Sequence, residues 1–291
     1  MKIIQIINPK AGHGHAEAVK LSKQDIIRYT TKGIRDAENA VIDFCNQYKD
    51  EEIHFIVCGG DGTINEVVNG IMSADASERA FFSVAPTGSG NDFVKNFKNE
   101  RKIHSIDLIR YNDRYAVNMI NIGFDCNVAD KTQLYKNKKL ITGSSAYILG
   151  LGNVFVHKLG QSVKLTVTDE FDVIHEYDDE FLLCPVANGS FCGGGFNALP
   201  LASLKDGILD MLIVSKISRA KFLSLVGDYR KGTYIDPETK EIKPKFADVL
   251  RYIRCKRVSV SGLDSICVDG EIEKLESVEI EVVPNAIRYK G

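Results

Sequence analysis

The stretch that most constrains this chain is Ile53-His54-Phe55-Ile56-Val57-Cys58-Gly59-Gly60-Asp61-Gly62-Thr63-Ile64-Asn65-Glu66. A run rich in β-branched residues stops at two glycines, and Ile64, Val67, Val68 and Ile71 then recur at helical spacing. The order is strand, glycine turn, helix. Gly59, Gly60 and Gly62 let the backbone turn tightly and approach a ligand. With Thr63 as the expected cap, the first helical amides are unpaired and carry the positive end of the dipole, which is a phosphate-binding end. Neither G-x-x-x-x-G-K-[ST] nor G-x-G-x-x-G occurs in the chain. Asp61 inside the glycines would repel a bare phosphate, so a nucleotide carrying Mg²⁺ is the expected partner. The plainer reading is a strand-to-helix turn in which Asp61 helps the cap.

Similar punctuation recurs on either side. Ile3 to Ile7 is a continuous apolar run, as a parallel strand covered on both faces requires, and it ends in Asn8-Pro9-Lys10-Ala11-Gly12. Lys10 can reach a phosphate as a point charge. A second strand is expected over 25–31, and Ile34, Ala37, Val41, Phe44 and Tyr48 share the spacing of the helix after it. Phe81 to Ala85 reads as a fourth strand and leads into Gly88-Ser89-Gly90-Asn91-Asp92-Phe93. Parallel sheets bind ligands beyond the carboxyl ends of their strands, so these three loops are expected to converge on one nucleotide-sized cleft.

After about residue 105 the segments become short, β-rich and often alternating, as over 163–168, 181–187, 208–214 and 278–283, with one helix near 218–229. The expected fold is an α/β nucleotide-binding domain with a parallel sheet over residues 1–115, then an antiparallel β-sandwich over 116–291. The C-terminal segment is free to return to the first domain. A chain of 291 residues with 44% hydrophobic residues can fill two cores. Lys and Arg number 37 against 39 Asp and Glu, a net charge of -2 that leaves no basic excess to attract nucleic acid. Residues 1–8 enter a strand without a signal peptide's apolar core, and the run 146–156 is too short and too broken to span a bilayer. A cytoplasmic protein is expected. The seven cysteines nowhere form C-x-x-C and read as structural thiols, and His13 and His15 as loop residues near a phosphate.

Two places in the second half are unusual for plain sheet. Gly193, Gly194 and Gly195 sacrifice packing in a strand region, which points to close approach by a ligand or another backbone. The nearby Asp206-Gly207 reads either as a hairpin turn or as part of an all-oxygen site for a hard cation. Asp269 and Glu271 flank Gly270 at the end of a strand, where residues two apart share a face and can act on one object. Phosphoryl transfer to an alcohol needs a carboxylate near the acceptor hydroxyl and a cation on the phosphates. A simple turn is the competing reading.

Taken in order, Asn8 to Gly12, Gly59 to Glu66, Gly88 to Phe93, Gly193 to Gly195, Pro200-Leu201-Ala202, Asp206-Gly207 and Val268 to Glu271 resemble the diacylglycerol kinase catalytic family, in particular its soluble bacterial lipid kinases. The likeness covers nearly the whole chain, whereas the Gly59–Thr63 motif alone is also seen in NAD kinases. It implies two domains with ATP in the cleft between them. By matching position, Asn8, Pro9, Lys10, Ala11, Gly12, Gly59, Gly60, Asp61, Gly62, Thr63, Ile64, Asn65, Gly88 and Ser89 would contact the nucleotide, with Thr30 or Thr31 joining them. The family's structural Mg²⁺ site falls on Asp206, with Ser203 and Ile208 offering backbone oxygens. Glu271 matches the general base, with Asp269 assisting, while Asp61 and Asp125 belong to a carboxylate, water and Mg²⁺ network.

The chain departs from the family in the short spacing between Gly12 and the second strand, and in His13 and His15 where Lys or Arg is usual. The implied function is an ATP- and Mg²⁺-dependent kinase of diacylglycerol or a related lipid alcohol. An NAD kinase-like enzyme and a non-catalytic binding protein of the same fold are the alternatives. The lipid would be met at a membrane surface, through peripheral contact by Lys136, Lys138 and Lys139 beside the apolar stretch 147–155, or by Arg251, Arg254, Lys256 and Arg257. For both clusters, solvated charges beside a core segment are the competing reading. Exposed sandwich edges would permit a homodimer.

Overall fold

A computed structural model describes residues 1–11, 26–88, 90–97, 102–123, 126 and 160–291. Strands β1 (Lys2–Ile7), β2 (Ile26–Thr30), β3 (Ile53–Gly59) and β4 (Ala80–Pro86) pair in parallel in the order β2-β1-β3-β4. Helices α1 (Asp36–Gln47) and α2 (Asp61–Ser73) connect them. Their apolar stripes, Ala37 and Val41 on α1 and Ile64, Val67 and Ile71 on α2, pack with Ile4, Ile6, Phe55 and Phe82 of the sheet in one core.

Both helices start elsewhere than their spacing predicts. Helix α1 begins at Asp36, so Ile34 lies before it and is 93% exposed. Arg35 adopts the left-handed region (φ 61°), and the amides of Arg35 and Ala37 donate to the Glu66 carboxylate at 3.0 and 3.1 Å. The start of α1 is thus capped by a side chain from α2. Helix α2 begins at Asp61, with extended Gly60 at its cap position. The Thr63 and Ile64 amides both bond to the Gly60 carbonyl, which places Thr63 inside the first turn. Its hydroxyl accepts from Asn8 Nδ2 at 3.0 Å and is not the cap.

Beyond β4 come β5 (Ile103–Tyr111), β6 (Arg114–Ala116), β7 (Met119–Ile122), β8 (Gln161–Asp169), β9 (Ile174–Leu183), β10 (Val186–Ala187), β11 (Phe191–Cys192), β12 (Phe196–Asn197) and β13 (Leu209–Ser215). Helix α3 (Arg219–Lys231) and strands β14 (Leu250–Ser261), β15 (Ile266–Val268), β16 (Glu271–Glu273) and β17 (Ser277–Lys290) complete the chain. The β-rich half is mainly antiparallel, and its largest core unites Val163, Leu165, Met211, Val258 and Ile280. Strand β17 joins the two halves. It pairs antiparallel with β14 and β5, then parallel with β4, so the end of the chain lies in the sheet that carries the glycine turns. Among the described residues no helix is long and apolar enough to cross a membrane.

Asp210 on β13 is fully buried, and neither carboxylate oxygen has a hydrogen-bond partner. Burial pushes its pKa up to about 7, against the opposing influence of the nearby Tyr252 hydroxyl and Arg254 guanidinium. The folded state therefore holds a proton that the unfolded chain releases near pH 4, and stability falls as pH rises between those values. Asp210→Asn is expected to raise stability at pH 8 by roughly 2–4 kcal/mol and to change little near pH 4, read from urea melts at both pH values.

Candidate active site

The turns after β3 and β4 meet at their glycines. A Cβ on Gly88 would lie 2.5 Å from the Gly60 Cα, and one on Gly59 would lie 2.5 Å from the Thr63 side chain. Only glycine permits this approach, and it leaves backbone lining a cleft of about 740 Å³ at the N-terminus of α2. Asn8, Lys10 and Ala11 reach the cleft from the end of β1, and Thr31 from the end of β2. Gly60, Asp61, Gly62, Thr63, Asn65 and Gly88 line it from the two glycine turns. Asn8 fixes its loop by donating to Thr63 and accepting from the Lys10 amide at 3.0 Å.

The remaining predicted contacts fall elsewhere. Pro9, Thr30, Gly59 and Ile64 do not line the cleft. Thr30 faces solvent, while Thr31 is buried and its amide donates to the Ile7 carbonyl. Ile64 belongs to the core beneath α2. Gly12, His13, His15, Ser89, Asp125, the lysines 136, 138 and 139, and the stretch 147–155 lie outside the described residues.

Two carboxylates converge at the start of α2. Asp61 accepts from the Phe93 and Asp92 amides at 3.3 and 3.4 Å. Asp92 accepts from Lys95 Nζ at 2.6 Å and from the Gly194 amide at 2.8 Å. A Cβ on Gly90 would lie 3.1 Å from Asp61 Oδ2 and 3.6 Å from Asp92 Oδ2, so the two carboxylates flank Gly90. Burial and then the Asp92 charge push the Asp61 pKa up to about 6, against the pull of the two amides. Lys95 balances the Asp92 charge, and a divalent cation can take its place between two close, buried carboxylates of this kind. Asp92 is a cleft residue beyond those the sequence motifs single out, and its place in the Gly88–Phe93 loop is the signal for it. The glycines 193–195, all at positive φ, form the turn between β11 and β12 and bring the Gly194 amide to Asp92.

Asp269 and Glu271 do not share a strand face. Asp269 (φ 47°) and Gly270 (φ 94°) form the two-residue turn between β15 and β16, the conformation that Asp-Gly favours. The Asp269 carboxylate turns back to accept from the amides of Val117, Asn118 and Met119 at 2.8, 3.0 and 3.0 Å, and from Asn65 Nδ2 at 2.9 Å. All of its strong acceptor sites are engaged by these four donors, so it positions the hairpin. Burial outweighs these donors and still raises its pKa. Glu271 follows the turn and is exposed on the cleft side, with Oε1 3.3 Å from the place of a Cβ on Gly62. Asn69 braces the same joint by donating to Asn65 Oδ1 at 3.0 Å and to the Tyr115 carbonyl at 2.9 Å.

The predicted structural metal site is a different arrangement. Asp206 Oδ2 accepts from Arg254 Nη2 at 2.6 Å, and its Oδ1 accepts from the Ile208 amide at 3.3 Å. The Ser203 hydroxyl accepts from the Lys205 amide at 3.4 Å. The guanidinium, shared with Glu170 at 3.1 Å, places positive charge beside the Asp206 carboxylate. Among the described residues no cluster of three or more His, Cys, Asp or Glu could hold a metal. Lys256 likewise pairs with Asp172 and Arg257 with Glu281, so the basic cluster on β14 is largely neutralised within the fold.

Comparison with known proteins accounts for this geometry. Residues 2–122 match the model of the diacylglycerol kinase catalytic domain, and residues 118–290 that of the YegS C-terminal NAD kinase beta sandwich-like domain. Proteins of Staphylococcus aureus strains Mu3 and Newman, each named "Putative lipid kinase", are 27% identical over 291 residues, spanning 93% of this chain and 89% of theirs. A crystal structure titled as a "putative diacylglycerol kinase" from Bacillus anthracis str. Sterne superposes with a TM-score of 0.72 at 21% identity, covering 99% of this chain and 96% of that one. A second structure from the same strain gives 0.68 at 19% identity. With both halves of the chain matched in order, the protein belongs to the diacylglycerol kinase catalytic family in its two-domain form, with the YegS-type sandwich as the second domain.

Proposed function

We propose that this protein is an ATP- and Mg²⁺-dependent lipid kinase, which phosphorylates the hydroxyl of diacylglycerol or a related lipid alcohol at a membrane surface. The observation that carries the reading is the meeting, in one cleft, of the bare glycine turns at the α2 N-terminus, the Asp61–Asp92 pair and Glu271. The amides of the first turn of α2 and Lys10 suit the triphosphate. Asp61 and Asp92 would hold Mg²⁺, which when bound neutralises charge on the phosphoryl oxygens. Glu271 accepts the proton of the acceptor hydroxyl as that oxygen bonds to the γ-phosphorus and the bond from phosphorus to the ADP oxygen breaks. Asp269 and Asn65 hold Glu271 against α2 throughout.

ADP release by the purified protein with MgATP tests this, comparing diacylglycerol in mixed micelles, other lipid alcohols, NAD and no acceptor. Release that requires a lipid alcohol, with the matching phospholipid formed, is expected. Release with NAD alone would replace the proposal by an NAD kinase activity, and ATP binding without release in any arm would replace it by a non-catalytic role.

A further inference from the structure

Past Glu271 the wall of the cleft changes character. Cys267 on β15 pairs across the sheet with Asn121 on β7 and with Ile272 on β16, and all three residues line the cleft together with Met119 and Cys192. The phosphate end is polar backbone, whereas here the apolar Met119, Cys192, Cys267 and Ile272 enter the lining, with Asn118, Asn121 and Glu273 as its polar members. Asn121, Cys267 and Ile272 share one face of the sheet and line the same cleft as Glu271, so this wall is placed to receive the molecule whose hydroxyl Glu271 deprotonates.

Asn121 Oδ1 is buried without a hydrogen-bond partner. Several side-chain polar atoms among the described residues are left in this way, but of those residues only Asn121 lines the cleft. A buried polar atom without a partner is costly and rare in folded proteins, and a ligand that completes it is a physical reason for its survival. The amide oxygen accepts from a hydroxyl, and with the amide turned over its nitrogen donates to a hydroxyl or an ester carbonyl.

We infer that Asn121 recognises the acceptor through a polar group next to the reacting hydroxyl, an inference that rests on the lipid-kinase reading. The acceptor is then a lipid alcohol with an ester or a second hydroxyl on the neighbouring carbon. Fatty alcohols and polyprenols, whose hydroxyl stands alone, leave Asn121 unpaired and are poor acceptors. Sites built to hydrogen-bond a substrate group discriminate strongly against analogues that lack it.

The test compares dioctanoylglycerol with decanol as acceptors in mixed micelles, for the wild type, Asn121→Leu and the smaller Asn121→Ser, with KM for ATP and melting temperature measured alongside. The wild type is expected to prefer dioctanoylglycerol in kcat/KM by about 100-fold or more. Both variants are expected to raise KM for dioctanoylglycerol roughly tenfold or more and to erode the preference, with KM for ATP unchanged. A folded variant that keeps the wild-type KM for dioctanoylglycerol, or one that shifts KM for ATP instead, would overturn the assignment. A wild type that phosphorylates no lipid alcohol at all would remove the reading beneath it.

Discussion

Glu271→Gln is expected to lower kcat by about 10²–10⁴-fold, the usual contribution of a general base, while leaving KM for ATP within about twofold. The amide keeps the shape of the carboxylate and its place beside Gly62 but cannot take the acceptor's proton. Since Glu271 is exposed on an edge strand, the melting temperature should stay at the wild-type value. Steady-state kinetics with a thermal melt check both parts. Near-normal turnover in the variant would take Glu271 out of the role.

Asp269→Asn should behave differently, lowering both turnover and stability. The side-chain amide keeps the residue's tolerance of positive φ, but it replaces one acceptor oxygen by a donor that must face donors at 2.8–3.0 Å. Stranding such groups costs about 1–3 kcal/mol each, so a loss of roughly 3–5 kcal/mol is expected, on the order of 10 °C in Tm. The hairpin then loses its hold on the 117–119 amides and Glu271 moves from its place, where a displacement of about 1 Å costs roughly 10²-fold in rate. A variant that loses activity with its melting temperature intact would mean that Asp269 acts on the chemistry directly.

These two carboxylates mark the limit of what the amino-acid order discloses. The alternation of apolar runs and glycine turns made the parallel sheet and its cleft legible, because strand, turn and helix are set by neighbours in the chain. Three corrections came from partners far away in sequence. Ile34 fits the period of α1, but Glu66 of the next helix caps the chain at Arg35 and shuts Ile34 out. Thr63 is an apt capping residue whose hydroxyl is taken by Asn8, 55 positions earlier. Asp269 beside a glycine is compatible with a strand end or a turn, and the deciding amides lie some 150 positions upstream.

The same reasoning separates the readable site residues from the hidden ones. Asp61, Gly60 and Gly88 stand in local motifs and reach the cleft where expected. Asp206 stands in one too, yet Arg254, 48 residues on, neutralises it in a way that no local pattern announces. Asn121 sits in an ordinary β-run, and only the cross-strand register with Cys267 and Ile272 sets it in the cleft wall.

The lipid-kinase account is tested most directly by following the γ-phosphate itself. ATP labelled at that position is incubated with the protein, Mg²⁺ and dioctanoylglycerol micelles, and the lipids are then extracted and resolved. The account predicts label in the organic phase as a phosphomonoester of the added lipid, dependent on Mg²⁺ and lost in Glu271→Gln. Label that stays in the aqueous phase across a panel of lipid alcohols, as inorganic phosphate or on NAD, would contradict it.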